Sequence, residues 1–168
     1  MPSESFRDLR VTHRDGVAII TLARPQKRNA LSDGVMAELA QAFAELPAST
    51  RAAVIHGDGE HFCAGLDLSE LSERDAVEGM HHSRGWHSIL SGIEFGRIPV
   101  VVAIHGACVG GGLELAATCH IRVADETAYF ALPEGSRGIF VGGGGSVRIP
   151  KLIGTQHMMD MMLTGRIH

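Results

Sequence analysis

Several compositional features that would assign a function are scarce or missing in this chain of 168 residues. Lysine and arginine number 15 against 19 aspartates and glutamates, which gives a formal net charge of -4 and no basic surface for nucleic acid. The three cysteines, Cys63, Cys108 and Cys119, have spacings that match neither a zinc ribbon nor a disulfide framework. An unpaired set of this kind is typical of a reducing compartment, so a cytoplasmic protein is predicted.

Long hydrophobic runs are also missing. The longest, residues 98–104, is far too short to cross a bilayer, and the amino terminus has no apolar core of the kind found in signal peptides. No membrane partner is therefore expected. With 45% hydrophobic and 20% charged residues, the composition is that of an ordinary globular protein, and the length suits a single domain over residues 1–168.

Motifs for nucleotides and metals are missing as well. The glycines at 110–112 do not follow the GxGxxG pattern, and no GxxxxGK[ST] is present. Three neighbouring histidines, His81, His82 and His87, form no HExxH or Cys/His pattern, so they are expected on a helix surface and no metal site is predicted. A thiol nucleophile at Cys63 beside His61 is disfavoured, because no third group is found to orient the pair.

Hydrophobic periodicity predicts an α/β fold. Two extended runs, 9–13 and 17–22, flank a turn at residues 15–16 and predict a hairpin. Ser32 is predicted to cap a helix that Pro47 ends. The remaining predictions are strands at 52–56, 100–104, 121–124 and 129–131, a loop at 23–31, and helices at 70–95, from Gly111 and at 155–163.

The residues between Pro99 and Glu134 carry the strongest chemical pattern. A buried strand ends at Gly106, and the glycines at 110–112 then open a helix with Glu114 in its first turn. The first amides of a helix have no intrahelical partner, and a glycine lets a ligand approach them, so this position can hold an anion or a developing oxyanion. A structural tight turn is the alternative for the glycines, and helix capping is the alternative for Glu114.

Two further positions are ambiguous from the residues alone. Glu134 lies between the apolar segments 130–132 and 139–141, where burial would favour its neutral form and suit a general acid; a solvated loop carboxylate is the alternative. The basic pair Lys27 and Arg28 is typical of a solvated surface but could also contact a ligand phosphate.

Four segments, taken as a set, resemble the crotonase superfamily, the enoyl-CoA hydratase/isomerase proteins. They are RPQKRNALS at 24–32, HFCAGLDL at 61–68, IPVVVAIHGACVGGGLELAATCHIRVA at 98–124 and FALPEGSRGIF at 130–140. They occur in the family's order and with its spacing, and together they span nearly the whole chain. The set is a strong indicator, whereas each segment alone is a weak one.

The resemblance implies a spiral of ββα units, a coenzyme A thioester as substrate and an oxyanion hole made of two backbone amides. Matched by position, these amides belong to Leu66 and Gly111. The carbonyl of Ala64 would bind the adenine amino group. Coenzyme A belongs to the substrate, so no separate cofactor is implied, and a homotrimer or dimer of trimers is the implied assembly. The residues assigned to substrate binding are Lys27, Arg28, Ala64, Leu66, Asp67, Leu68 and Gly111.

In the hydratase branch of the family two glutamates supply acid and base, and they match Glu114 and Glu134. The predicted activity is that of an enoyl-CoA hydratase-like lyase, which adds water reversibly to a 2-enoyl-CoA. Glu114 is assigned to the attacking water and Glu134 to the proton donor. An enoyl-CoA isomerase, which needs a single carboxylate, is the first alternative. A non-catalytic protein that binds CoA esters is the second.

Two departures from the family pattern affect these expectations. Val141 and the segment GGGGSVRI stand where hydratases usually have a proline and GxGGTQRL, so the wall of the acyl pocket is expected to differ. The carboxy-terminal helical part, which in the family completes the pocket and the trimer, is also expected to be lacking from this chain.

Overall fold

The computed structural model describes residues 6–70, 72–73 and 75–168 as twelve strands and helices joined by short loops. Three 3₁₀ turns, Pro25–Lys27, Leu68–Glu70 and Gly135–Arg137, lie in these loops. In chain order the elements are β1 Leu9–Arg14, β2 Val17–Leu22, α1 Asp33–Ala44, β3 Ala52–Gly57, α2 Ala76–Glu94, β4 Val100–Ile104, β5 Ala107–Val109, α3 Gly111–Thr118, β6 Ile121–Ala124, β7 Tyr129–Ala131, α4 Gly145–Ile153 and α5 Thr155–Thr164.

The larger sheet contains five strands in the order β1-β2-β3-β4-β6. β1 and β2 form the predicted antiparallel hairpin, and every later pairing is parallel. Parallel strands require a crossover, and α1, α2 and α3 supply the successive connections. The strands β3 and β4 alternate buried and half-buried positions, because one face of this sheet packs against the helices, whereas the last three residues of β2 are all buried.

A second, shorter layer of extended segments runs beside the first. β5 pairs in parallel with β7, and an isolated parallel bridge joins Cys63 to Cys108 of β5. Each passage of the chain therefore contributes one strand to the large sheet, one extended segment to the second layer and then a helix. This repeated path is the spiral of ββα units that the sequence resemblance implies.

Helix caps and apolar stripes fix the helices that enclose the site. Ser32 caps α1 by accepting a hydrogen bond from the Val35 N–H, as predicted. Asp75 caps α2 through a capping box with Glu78. The buried stripe of α2, formed by Trp86, Leu90 and Ile93, packs into the main core with residues from α1 and the large sheet. Within the described residues, no helix combines the length and the apolar character that a bilayer crossing demands.

Three parts of the secondary structure differ from the sequence predictions. The helix predicted at 70–95 begins at Ala76, because the Asp75 capping box sets its start; Leu71 and Arg74, within that prediction, lie outside the described residues. β5, only three residues long, was not predicted, since so short a run has little periodicity. α4 was also not predicted, because its opening glycines and the internal Pro150 disfavour a helix by local propensity.

Candidate active site

A cavity of about 400 Å³ lies between α2, the start of α3 and the loops that precede and follow the turn Gly135–Arg137. Residues from four separate parts of the sequence line it, which explains why no short motif defines it. Four predicted site residues, Leu66, Gly111, Glu114 and Glu134, are among the lining residues. The other described lining residues are Ser72, Gly79, His82, Ser83, Trp86, Gly138, Ile139, Phe140, Gly142 and Gly143.

Glu114 lies in the first turn of α3 and is only 4% exposed. Its Oε1 accepts hydrogen bonds from the Gly143 N–H at 2.9 Å and the Gly145 N–H at 2.7 Å. The carboxylate therefore does not cap its own helix, α3, since its donors are Gly143, in the loop before α4, and Gly145, the first residue of α4. The pKa of Glu114 is raised from 4.5 to about 7: burial is the largest cause and the nearby charge of Glu134 adds to it, while the two amides and Arg148 oppose the rise.

Glu134 follows β7 and is 5% exposed. Its Oε2 is buried and has no hydrogen-bond partner among the described residues. Its Oε1 lies against the backbone of Gly110, where an added β-carbon would be only 2.6 Å away, so glycine is required there. Burial raises the pKa of the Glu134 carboxyl, as expected for a group between apolar segments. A hydrogen bond from the backbone N–H of Glu134 and the charge of Arg137 oppose this rise.

Two backbone amides are positioned side by side at the cavity. A β-carbon added to Gly111 would lie 3.6 Å from the Leu66 nitrogen, and one added to Gly65 would lie 3.4 Å from the Gly111 nitrogen. Gly111 is the first residue of α3, so its N–H has no intrahelical acceptor. In the described part of the chain, neither the Leu66 N–H nor the Gly111 N–H donates to another backbone group.

The loop that carries Leu66 is held by main-chain pairing on both sides. Leu31 donates to the Gly65 carbonyl at 2.7 Å and accepts from the Asp67 N–H at 2.8 Å. This pairing leaves the Leu66 N–H, which lies between the two bonded residues, facing away from Leu31. Gly65 has φ of +98°, and an added β-carbon would be 2.8 Å from the Val109 carbonyl oxygen. Only glycine allows this loop to approach β5 so closely.

Asp67 anchors the same loop with its side chain. Its carboxylate accepts from Arg24 Nη2 at 2.9 Å, from Lys27 Nζ at 2.9 Å and from the Ser69 hydroxyl at 2.6 Å. These donors hold the pKa of Asp67 well below its usual range. Asp67 is 4% exposed and is not among the residues that line the cavity. Its contacts are those of a structural anchor beside Leu66.

The remaining residues predicted to bind substrate lie outside the cavity wall. Lys27 directs its ammonium to Asp67, whereas Arg28 is exposed. Ala64 is half-buried, and its N–H donates to the Arg28 carbonyl at 3.0 Å, which joins the two loops. Leu68 is 44% exposed.

The thiol of Cys63 is no nucleophile. It is completely buried, and burial raises its pKa to about 12.

Sequence reasoning did not assign to the site two residues of α2, Trp86 and His82, that line the cavity together with Glu114 and Glu134. The buried Trp86 donates its indole N–H to Asp33 Oδ1 at 2.9 Å, and its ring lies 3.5 Å from a β-carbon added to Gly111. His82, one turn earlier on α2, contacts the same carboxylate at 2.7 Å. His82 was expected on the helix surface, but it is half-buried and lines the cavity. The (i, i+4) spacing of the histidine and the chain's only tryptophan was the available indication.

Together these groups provide two unpaired amide donors next to two buried carboxyls. The amides can stabilise negative charge that develops on an oxygen. The carboxyls, whose pKa values are both raised, can accept and donate protons. Such an arrangement can carry out proton transfer next to a carbonyl group.

Comparison with known proteins gives a consistent assignment. The family model described as enoyl-CoA hydratase/isomerase matches residues 12–167. The chain is 39% identical over 153 residues to a protein of Bacillus subtilis (strain 168) named "Probable enoyl-CoA hydratase", covering 89% of this chain and 58% of that protein. It is 38% identical over 159 residues to a "Fatty acid oxidation complex subunit alpha" of Shewanella frigidimarina, covering 90% of this chain but only 22% of that subunit.

Solved structures show the same fold. A crystal structure from Rhodopseudomonas palustris CGA009, described as a "putative enoyl-CoA hydratase", superposes with a TM-score of 0.95 at 58% identity and covers 98% of this chain and 64% of that one. An enoyl-CoA hydratase from Thermoplasma volcanium GSS1 gives a TM-score of 0.90 at 34% identity, covering 98% of this chain and 66% of that one. The chain thus spans about two thirds of the length of these structures. From its family match and its fold, this chain belongs to the enoyl-CoA hydratase/isomerase family of the crotonase superfamily.

Proposed function

We propose that this protein is an enoyl-CoA hydratase, which adds water reversibly across the double bond of a 2-enoyl-CoA thioester. The observation that carries the proposal is the convergence of Glu114, Glu134 and the two amides of Leu66 and Gly111 on one cavity. Hydration needs both a group that activates water and a group that delivers a proton. The cavity contains one carboxyl for each task.

The two amides act on the thioester oxygen. When water attacks C3 of the enoyl group, negative charge moves onto this oxygen and an enolate forms. The N–H groups of Leu66 and Gly111 donate to the oxygen at that moment, and both are fixed in place by the backbone before the reaction begins. Preorganised donors of this kind lower the barrier without reorganising.

Glu114 acts on the attacking water. Its Oε1 is occupied by the two loop amides, which support the ionised form, and its other oxygen is left for a water molecule. The carboxylate accepts a proton from the water as the oxygen bonds to C3. With a pKa of about 7, Glu114 is a stronger base than an ordinary glutamate and is still substantially ionised at neutral pH.

Glu134 supplies the proton that C2 requires. Its buried Oε2 has no partner among the described residues, so the neutral carboxyl is favoured and its proton faces no competing acceptor. After Glu134 has delivered its proton to C2, the proton that Glu114 took from water passes to Glu134. This transfer restores both carboxyls and completes the cycle. The two carboxyls exchange these roles in the reverse, dehydration direction.

Coenzyme A binding is proposed for the joined loops outside the cavity. Arg28 is exposed and can meet a phosphate, while Lys27 contributes through its contact with Asp67. The carbonyl of Ala64 is proposed to accept from the adenine amino group. Assembly as a homotrimer or a dimer of trimers is part of the same proposal and rests on the family resemblance.

The direct test is hydration of crotonyl-CoA, followed by loss of the absorbance of the enoyl thioester. The variant Glu134→Gln is expected to reduce the rate by about 10²- to 10⁴-fold, since it removes an acid-base group, while calorimetry still detects crotonyl-CoA binding. Glu126→Gln is the matched control, because Glu126 is exposed in the loop between β6 and β7. Hydration by Glu134→Gln at the parental rate would refute the assignment of the proton donor.

Mass analysis of the product separates the two alternatives. Hydration adds the mass of one water, whereas an isomerase moves the double bond and leaves the mass unchanged. Binding of crotonyl-CoA without either change would support a non-catalytic CoA-ester binder. The presence of two carboxyls at one cavity favours hydration, because isomerisation requires no water-activating group.

A further inference from the structure

The residues that hold Glu114 in place depend on one arginine outside the cavity wall. Arg148, in α4, is 9% exposed. Its Nη1 donates to the Gly143 carbonyl at 2.9 Å, and the N–H of the same Gly143 donates to Glu114. One residue of the loop therefore connects the guanidinium on one side to the carboxylate on the other.

The other guanidinium nitrogens fix Arg148 to α2. Nε contacts Glu94 Oε2 at 2.6 Å, and Nη2 donates to the Ser91 hydroxyl at 3.0 Å. All three nitrogens are thus used, and the planar fork has one orientation that satisfies them together. The carbonyl of Gly143 is consequently held at a set distance from α2.

Arg148 acts on this loop together with the Ser83 hydroxyl, which donates to the Gly142 carbonyl at 2.6 Å, and with the start of α4, where two N–H groups donate to the Gly144 carbonyl. Gly144 has φ of +101°, and a β-carbon there would lie 2.2 Å from Arg148 Nη1, so the loop and the guanidinium are in close contact. Glycines at 142–145 leave the backbone with the widest choice of conformations. A flexible segment that must present two N–H groups to one oxygen needs an external constraint.

We propose that Arg148 is a positioning residue for the reaction, which holds the loop 143–145 so that its amides keep Glu114 aimed at the attacking water. This inference rests on the proposed hydratase function. Arg148 touches no reacting atom. Its second effect is electrostatic, because its positive charge favours the ionised form of the carboxylate that it positions.

The ionisable surroundings of Glu114 are few. Glu134 faces it across the cavity and raises its pKa, whereas Arg148 of α4 lowers it. From α2, His82 lines the same cavity, His87 lies against Gly144, and Glu94 is paired with Arg148. Removing Arg148 therefore removes the positive charge that lowers the pKa of Glu114.

The test uses Arg148→Met with two readouts. The kcat for crotonyl-CoA hydration is expected to fall by about tenfold or more with little change in KM, because a small displacement of a catalytic group costs turnover rather than binding. In a ¹³C-carboxyl NMR titration, the pKa of Glu114 is expected to rise above its parental value. Arg148→Lys restores the charge without the fork and should recover the pKa more than the kcat.

Two further variants keep the test decisive. Lys151→Met removes a cation from the exposed side of the same helix and should match the parent in both readouts. Should Arg148→Met fold poorly because Glu94 is left alone, Arg148→Met with Glu94→Gln removes both partners and is tested instead.

The outcomes separate this inference from the proposed function. A parent that does not hydrate crotonyl-CoA refutes the function, while the NMR titration still tests the contact between Arg148 and the Glu114 loop. Parental kcat and parental Glu114 pKa in Arg148→Met overturn the positioning role. Lower thermal stability with an unchanged Glu114 pKa also overturns it, since it shows a merely structural arginine.

Discussion

The variant Glu114→Gln should be more stable than the parent at alkaline pH while losing its activity. Glu114 is 4% exposed, and its pKa rises from 4.5 to about 7 in the folded protein. Since each tenfold change in proton affinity is worth about 1.4 kcal/mol, ionising this buried carboxyl costs the native state about 3 kcal/mol. Glutamine carries no charge, and its amide oxygen can still accept from the Gly143 and Gly145 N–H groups.

The sign of the pH dependence follows from the raised pKa. At pH 4 the carboxyl is largely neutral in both states, and no penalty applies. Between pH 4.5 and 7 the unfolded chain loses this proton while the folded chain retains it, so the parent loses stability as the pH rises. Above about pH 7 the full penalty is present. The variant lacks this contribution. The contributions of the other titrating groups to the pH dependence of stability are the same in both proteins, so they cancel in the difference.

Two assays check this prediction. Urea unfolding at pH 4 and pH 8 should show that the stability difference between variant and parent grows by about 3 kcal/mol in favour of the variant. The hydration rate should fall by about 10²- to 10⁴-fold, because the water loses its general base. In the parent, the rate should rise with pH through about 7 as Glu114 ionises. An identical pH dependence of stability in both proteins would refute the reasoning from burial.

Two other substitutions test the amides and the loop that carries them. Gly111→Pro removes one oxyanion donor at the first position of a helix, where proline is tolerated, so hydration should drop by about 10²- to 10³-fold in a folded protein. Gly111→Ala keeps the N–H, and its β-carbon meets nothing closer than 3.5 Å, so comparable losses in both variants would contradict the donor role. Asp67→Asn should lower the free energy of unfolding by about 1 to 2 kcal/mol, because Arg24 is shielded but Lys27 is partly exposed to water. This loss, measured by urea unfolding, should shrink as the pH falls below about 4, since Asp67 is then increasingly protonated in the unfolded parent; a constant loss would argue against the ion pairs.

Most of the large sheet was predictable because its strands have strong local patterns. The hairpin has β-branched residues on both sides of an Asp-Gly turn, and the run at 100–104 is entirely apolar. These runs do not indicate the parallel order of β2, β3 and β4, and only the spiral of ββα units that the family resemblance implies bears on it. Parallel pairing depends on contacts distant in sequence, which local patterns do not encode.

The site was predictable in part, and the limit is physical. Glu134 could be singled out by its apolar surroundings, and the direction of its pKa shift agrees with them, whereas Glu114 was singled out by its place after the glycines and by its match to the family. The donors to Glu114 could not be found, because backbone N–H groups have no identity in a sequence. Trp86 and Arg148 were missed for a related reason, since their relevance comes from what folding places beside them.

The pairing of the Leu66 loop with Leu31 has a consequence for how such a site can change. Both of the proposed oxyanion donors belong to the main chain, so exchanging side chains at positions 114 and 134 would leave the proposed place for the thioester oxygen intact. An engineered variant could lose hydration and still hold an enolate long enough for a different partner to react with it. The backbone amides would stabilise the enolate, whereas the side chains at positions 114 and 134 would determine what reacts with it. New activities can therefore be sought by redesigning these side chains alone.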